Sequence, residues 1–218
     1  MALAIFDLDN TLLAGDSDYL WGVFLAEKGV VDGNYYEREN ERFYQEYKEG
    51  RLDIFEFLRF SLKPLQENSL KKLENLRKEF LKKRIEPIML PAAIALVEKH
   101  RQAGDVLMII TATNAFVTTP IAQAFGIDHL IATDPEVVDG GYTGEVAGIP
   151  SFQEGKTERL KQWMERENQT LEGSSFYSDS HNDIPLLEQV DNPVAVDPDE
   201  ALIKAAKQKA WSIISLRG

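Results

Sequence analysis

Short apolar runs that break off into polar loops recur along this chain. Residues 2 to 6 (Ala-Leu-Ala-Ile-Phe) lead straight into Asp7 and Asp9, and Val106 to Ile110 lead into Thr111-Ala112-Thr113-Asn114. Ser174 to Tyr177 precede Ser178-Asp179-Ser180-His181-Asn182-Asp183, and Val194 to Val196 stop at Asp197-Pro198. Runs of this length bounded by polar residues predict four buried strands. Helical spacing lies between them, at 92–101, 120–125, 157–167 and 200–208. Strands alternating with helices predict an α/β fold, a doubly wound parallel sheet covered on both faces. Such a sheet binds ligands beyond the carboxyl ends of its strands, where all four polar loops fall. Residues 137–146, with Gly140-Gly141 at their centre, read as a β-hairpin inserted into this alternation.

From about Asp16 to Glu86 the pattern changes. No strand is visible there, and Leu20, Phe24, Phe43 and Tyr47 keep helical spacing, which predicts a helical insertion. The expected division is a catalytic core of residues 1–15 and 87–218 with a helical cap over 16–86. Eleven of the chain's twenty-one aromatic residues lie between Tyr19 and Phe60, so the insertion either has a dense core or lines a pocket. Helical aromatic stripes more often belong to a core. The charged run from Leu70 to Arg84 reads as a solvated helix face.

Composition narrows the function classes. At 218 residues the chain suits one core with a modest insertion, and its 44% hydrophobic and 28% charged residues are ordinary for a globular protein. A net charge of −12 argues against a nucleic-acid partner, because that affinity comes from basic residues displacing counterions. With no cysteine, disulfides, thiolate catalysis and Cys-ligated zinc are excluded. No apolar run approaches the length of a membrane span and no basic leader precedes residue 7, which predicts a soluble cytoplasmic protein, monomer or homodimer.

The acidic loops carry the candidate chemistry. Asp7 and Asp9 would repel each other in a bare site, and a hard divalent cation held by oxygen ligands relieves that repulsion. Mg2+ is the natural candidate, with Asp7, Asp9, Asp179 and Asp183 expected to converge on it. Thr111 offers a hydroxyl, and the Thr111-Ala112 backbone an N–H, to a phosphate oxygen. Lys156, in Gly155-Lys156-Thr157, supplies the local positive charge an acidic protein needs to hold phosphate. His181 reads as a surface residue.

Asp7-Leu8-Asp9-Asn10-Thr11, Thr111, Lys156 and the Asp179/Asp183 loop, in that order, resemble the four motifs of the haloacid dehalogenase superfamily. The insertion after the first motif resembles the helical cap of its phosphoserine phosphatase-like branch. The resemblance implies a phosphatase in which Asp7 forms an aspartyl-phosphate and Asp9 protonates the leaving oxygen and then activates water. It also implies that Asp7, Asp179 and the Asp9 carbonyl surround magnesium, while Thr111 and Lys156 hold the phosphoryl group and Asp183 orients a metal-bound water or Lys156. In phosphoserine phosphatases a cap Glu binds the substrate amine and a cap Arg its carboxylate; here Asp16 falls at the first position, with Asp18 nearby, and Ser61 at the second. Arg59, two residues away, could restore the clamp. A missing clamp suits an amino alcohol phosphate such as histidinol phosphate, whose imidazole would stack on Tyr19, Trp21 or Tyr44. Phosphoserine is the alternative substrate. A receiver-type signalling domain fits poorly because its acceptor Asp ends a middle strand and it lacks a cap, and an idle binding protein on the same fold would be expected to have lost Asp7, Asp9 or Lys156.

Overall fold

The computed structural model describes residues 2–49 and 51–217. The first apolar run forms β1 (Leu3–Phe6), paired on both edges, whose four residues are all buried because packed side chains cover both faces of the sheet there. Its partners are β2 (Val106–Asn114) and β6 (Ser175–Ser178), both parallel to it. With β3 (His129–Thr133), β7 (Asn192–Val196) and β8 (Ser212–Ile214) they make a six-stranded sheet of order β3-β2-β1-β6-β7-β8. The chain builds outward from β1 through β2 to β3 and then returns to the other side of β1. The strand order therefore reverses at β1, which opens a crevice at the carboxyl ends of β1, β2 and β6.

Alternation along the strands sends Leu3, Ile5, Met108, Ile110 and Phe176 to one core, and Ala4, Phe6, Leu107 and Ile109 to another. The first is closed by α7 (Glu154–Glu167), α8 (Ile184–Leu187) and α9 (Glu200–Lys209), through Leu160, Trp163, Leu186, Leu187, Leu202 and Ala206. The second is closed by α5 (Pro91–Ala103) and α6 (Ala115–Ala124). Each fully buried Leu, Ile or Phe contributes about 1.5–3 kcal/mol relative to exposure.

Between β1 and α5 the chain forms α1 (Ser17–Glu27), α2 (Gly33–Lys48), α3 (Ile54–Glu67) and α4 (Leu70–Phe80), then a π turn over Leu81–Ile85 and a 3-10 turn over Glu86–Ile88. It leaves and re-enters the sheet layer through a narrow neck: Leu13 bridges Met89, and Ala14 N–H donates to the Ile88 carbonyl at 2.8 Å. The hairpin β4 (Pro135–Val138) and β5 (Gly141–Val146) packs its second strand on α3. Most of the aromatics in this region are packed: Trp21, Phe24 and Phe80 interlock with Phe116 of α6, and Phe43 meets Phe57 and Phe60. Trp21 is thus core, only 2% exposed, and is withdrawn from any pocket role.

Two helices carry an internal proline that cannot donate to the carbonyl four residues back. In each, a side chain from another helix supplies the missing donor. Opposite Pro120 in α6, the Phe116 carbonyl accepts Arg77 Nη1 of α4 at 2.8 Å, and opposite Pro64 in α3 the Phe60 carbonyl accepts the Tyr36 hydroxyl of α2 at 3.4 Å. Arg77 also lies over the Phe116 ring, 4.3 Å from its centroid. We expect Arg77→Ala to cost about 1–2 kcal/mol in urea melts, and less when Pro120→Ala has restored the backbone donor; equal losses in both backgrounds would refute the pairing.

The second strand runs to Asn114, four residues beyond the Ile110 limit read from the sequence, with a register irregularity against β3 between Ile110 and Asn114. The sixth helix starts at Ala115 and not at Pro120, capped by Asn114, whose side chain accepts Val117 N–H. Strands β3 and β8 lie outside the four strands that the apolar runs predict. Among the described residues no helix is long and apolar enough to cross a membrane.

Candidate active site

Asp7 stands at the end of β1, held there because its N–H continues the ladder to the Tyr177 carbonyl at 2.8 Å. The next residues turn sharply, with Leu8 O accepting from the N–H groups of Leu12 and Leu13 at 2.9 and 3.1 Å. Asn10 takes the left-handed conformation this turn needs, at φ 59°, one that Asn tolerates better than most residues. The turn brings Thr11 back beneath Asp7. Its hydroxyl lies 3.3 Å from Asp7 Oδ2 and 3.2 Å from Asp179 Oδ1, and accepts the Asp179 N–H at 3.1 Å. A hydroxyl has one proton, so it satisfies one of these two carboxylates at a time.

On the other side of Asp7 lies Lys156, the third residue of α7 and 4% exposed. Its ammonium is 2.7 Å from Asp7 Oδ1 and 2.8 Å from the Asp183 carboxylate, which also accepts the Ser178 hydroxyl at 2.6 Å. Burial disfavours the charged ammonium, but Asp183 and Asp7 outweigh it and hold the Lys156 pKa above its ordinary value. The sheet order explains the meeting: Asp7 follows β1, while Ser178 ends its neighbour β6 and Asp183 follows in the next loop.

Asp9 points elsewhere. Its carboxylate accepts the Thr113 hydroxyl at 2.8 Å and the Ser17 N–H, in the first turn of α1, at 2.7 Å. Thr111 and Thr113 share one face of β2, and Thr111 Oγ1 accepts the Thr113 N–H at 3.2 Å. The Ala112 carbonyl turns the other way, to the Thr133 hydroxyl. Ahead of α1, Asp16 caps the helix through Tyr19 N–H, and the Asp18 carboxylate accepts Asn114 Nδ2 at 3.3 Å.

Negative charge exceeds positive in this crevice. Burial, opposed mainly by Lys156, pushes the Asp7 carboxyl up to about 7; burial pushes Asp9 up to about 6 against its hydrogen bonds. Burial and then Asp7 raise Asp179 to about 8, while burial and then Asp16 raise Asp18 to about 8.

Of the four acids expected around one ion, the structure brings together the side chains of Asp7 and Asp179. The Asp9 carboxylate serves Thr113 and Ser17, and that of Asp183 serves Lys156 and Ser178. Among the described residues no three His, Asp or Glu side chains form a ready cation cage. Two carboxylates nevertheless suit a small hard cation that keeps water and takes further oxygen from a phosphate. The donor set fits magnesium in that form.

The clamp residues do not come together. Ser61 is buried, with its hydroxyl 3.4 Å from the Leu58 carbonyl of its own helix. Arg59 is exposed and makes no hydrogen bond or ion pair among the described residues. At about 100° per residue it stands on the opposite side of α3, so a small shift cannot carry it to the place of Ser61. Tyr19 and Tyr44 are exposed. His181 hydrogen-bonds Asp199 through Nδ1 at 2.7 Å. Thr11, Thr113, Ser178 and Ser17 join the site without having been singled out by the sequence pattern: Thr113 and Ser178 lie in the last two residues of β2 and β6, Ser17 opens α1, and Thr11 sits in the turn after β1.

The structure thus gathers an acid pair, a buried lysine between two carboxylates and a threonine-lined strand end at the sheet switch point, a donor set suited to holding a phosphate. A family model described as haloacid dehalogenase-like hydrolase matches residues 4–188. The chain is 46% identical over 219 residues to the histidinol-phosphatase of Neisseria meningitidis serogroup C (strain 8013), covering 99% of each. It is 31% identical to a phosphoserine phosphatase of Mycobacterium tuberculosis (strain ATCC 25618 / H37Rv), over 99% of this chain and 71% of that one. A crystal structure from Bordetella pertussis Tohama I superposes with a TM-score of 0.93 at 44% identity, covering 99% and 98% of the two chains. The chain belongs to the haloacid dehalogenase-like hydrolases and is a phosphatase of that family.

Proposed function

We propose that the protein hydrolyses a small amine-bearing phosphate monoester, histidinol phosphate, through an aspartyl-phosphate on Asp7, with residues 16–86 acting as a cap over a core of 1–15 and 87–218. The observation that carries the mechanism is the placement of Lys156 against Asp7 Oδ1 at 2.7 Å, in a buried site at the carboxyl ends of β1 and β6. An ammonium there binds the incoming phosphoryl oxygens and aligns the attacking carboxylate. Asp7 and Asp179 would hold Mg2+, with the Asp9 main-chain carbonyl as a third donor. That ion supplies neutralisation of the phosphoryl oxygens and of the repulsion between its two carboxylates.

Asp7 Oδ attacks phosphorus as the bond to the substrate oxygen breaks, and Asp9 gives its proton to that oxygen. Water then attacks the phosphorus of the acyl phosphate, losing a proton to Asp9, and releases phosphate and the Asp7 carboxylate. A carboxyl pushed up to about 6 suits both duties, since it is protonated often enough to donate and basic enough to accept. Thr113 O–H and Ser17 N–H hold it in one orientation. Thr111 and the Ala112 N–H complete the phosphoryl cradle.

For the substrate, Asp16 and Asp18 offer negative charge to an amine. Arg59 faces away and Ser61 is buried, which leaves no cationic clamp for a carboxylate on that stretch of α3. Tyr19 and Tyr44 offer exposed rings to an imidazole. The high identity to the Neisseria histidinol-phosphatase supports the same reading. Phosphoserine is favoured by the Mycobacterium relative. With magnesium present, kcat/KM for histidinol phosphate should exceed that for phosphoserine by about a hundredfold, because a substrate carboxylate would enter without a partner; a preference for phosphoserine would refute the amino alcohol reading.

A further inference from the structure

Tyr47, near the end of α2, belongs to none of the motifs above, yet two hydrogen-bonded routes lead from its phenol to Lys156. Its hydroxyl lies 2.9 Å from Ser180 Oγ, in the loop after β6, and accepts Asn182 Nδ2 at 2.5 Å. Ser180 Oγ also accepts the Asn182 N–H at 3.2 Å, and either hydroxyl can donate in its contact with Tyr47. The first route continues from Ser180 N–H to Ser178 Oγ at 3.1 Å, and from the Ser178 hydroxyl to Asp183, which holds the lysine. The second runs from Asn182 Oδ1 to Gln153 Nε2 at 2.8 Å. Gln153 immediately precedes α7, which carries Lys156 three residues on, and its backbone sits at φ 48°, ψ −121°. A residue with a side chain is strained there and stays only where its surroundings hold it. The Tyr47 ring also meets Phe152 and His181, with centroids 6.5 and 6.2 Å away.

We propose that Tyr47 is a positioning residue for Lys156, so that the phosphoryl site is fully ordered only when α2 is seated on the loop after β6. This rests on the reading that Lys156 serves phosphoryl transfer to Asp7. One phenol ties together the two loops that hold the ammonium, the segment before α7 and the segment after β6. With α2 displaced, Asn182 loses its Tyr47 partner, Gln153 is anchored to a looser loop, and the ammonium samples a wider range of positions. Chemistry would then wait on docking of the helix, while substrate still binds through its other contacts.

Tyr47→Phe keeps the ring against Phe152 and His181 and removes only the hydroxyl. In the full-length protein with magnesium it should lower kcat about tenfold for the best substrate, with KM changed less than about twofold and the melting temperature preserved. Gln153→Ala should lower kcat about threefold alone and have little further effect on Tyr47→Phe, because both break the same connection. A kcat for Tyr47→Phe within twofold of the parent, or fully multiplicative losses in the double variant, would overturn the proposal. Those results would leave the nucleophile unaffected: the role of Asp7 stands or falls on Asp7→Asn.

Discussion

Replacing Asp7 with Asn should reduce kcat by about five orders of magnitude, since removing a nucleophile costs nearly all of a covalent enzyme's acceleration. The substitution discriminates because Asn keeps the volume of Asp7 and an oxygen that can still accept from Lys156 or approach a cation. What it loses is the anionic oxygen that attacks phosphorus. If water attacked directly and Asp7 were merely a ligand or a hydrogen-bond acceptor, the amide oxygen would preserve much of the rate. Steady-state turnover with purified Asp7→Asn, measured against the parent with saturating magnesium, decides the matter. Retention of more than about one hundredth of kcat would eliminate the aspartyl-phosphate route. The folded state should survive: Asp7 is 7% exposed, and a neutral amide costs less to bury there than a carboxylate.

The separation of roles between Asp7 and Asp9 follows from where the chain turns. Asp7 looks toward Lys156 and Asp179, inside the sheet crevice, whereas Asp9 looks toward Ser17 and Thr113, between the first turn of α1 and the end of β2. On the proposed mechanism, the proton donor is tied to the first helix after the neck and the lysine to Tyr47, so both would respond to how those helices sit. The inserted helices therefore contact the surroundings of both Asp9, through Ser17 of α1, and Lys156, through Tyr47 of α2 and the loop after β6.

Much of this was legible in the sequence because it rests on local pattern. A buried run that stops at two aspartates can hardly be anything but a strand entering an acidic loop, and Lys156 stood out as a cation in an acidic chain. Other parts depend on what meets across the fold. The second strand continues through Thr111-Ala112-Thr113-Asn114, which reads as polar loop but whose β-branched threonines suit a strand with a partner. β8 has three residues, and only its pairing with β7 makes it a strand. Pro120 resembles a helix start until Arg77, 43 positions earlier, supplies the donor it lacks. Thr11 and Ser178 are ordinary residues in a sequence; the order β2-β1-β6 makes them neighbours of the carboxylates. The misplacement of Trp21 among the pocket aromatics has a similar cause, since helical spacing cannot tell which side of a helix meets Phe80 and Phe116.

Lys156→Met should have the second largest effect, and one that acts on stability as well as rate. Two carboxylates now share this ammonium in a site where the lysine side chain is 5% exposed, those of Asp7 and Asp183 being 10% and 2% exposed. Removing one member of such a group leaves buried charge uncompensated, at a cost of about 3–5 kcal/mol near neutral pH. Methionine fills the space, so the loss reports charge and not a cavity. The pH dependence has a definite sign. Burial holds Asp7 at about 7 in the fold, well above the ordinary carboxylate value of 3.8, and Lys156 is the main influence keeping it from rising further. Without the lysine the folded-state value climbs, the fold binds a proton that the unfolded chain does not, and stability is lost as pH rises from about 4 through that higher value. In urea melts with chelator present, Lys156→Met should therefore fall further below the parent at pH 8 than at pH 5. A deficit that is constant, or larger at pH 5, would mean that the ammonium does not hold Asp7 ionised. Activity should drop by about two to three orders of magnitude with magnesium present, the usual cost of losing one stabilising donor at a developing charge.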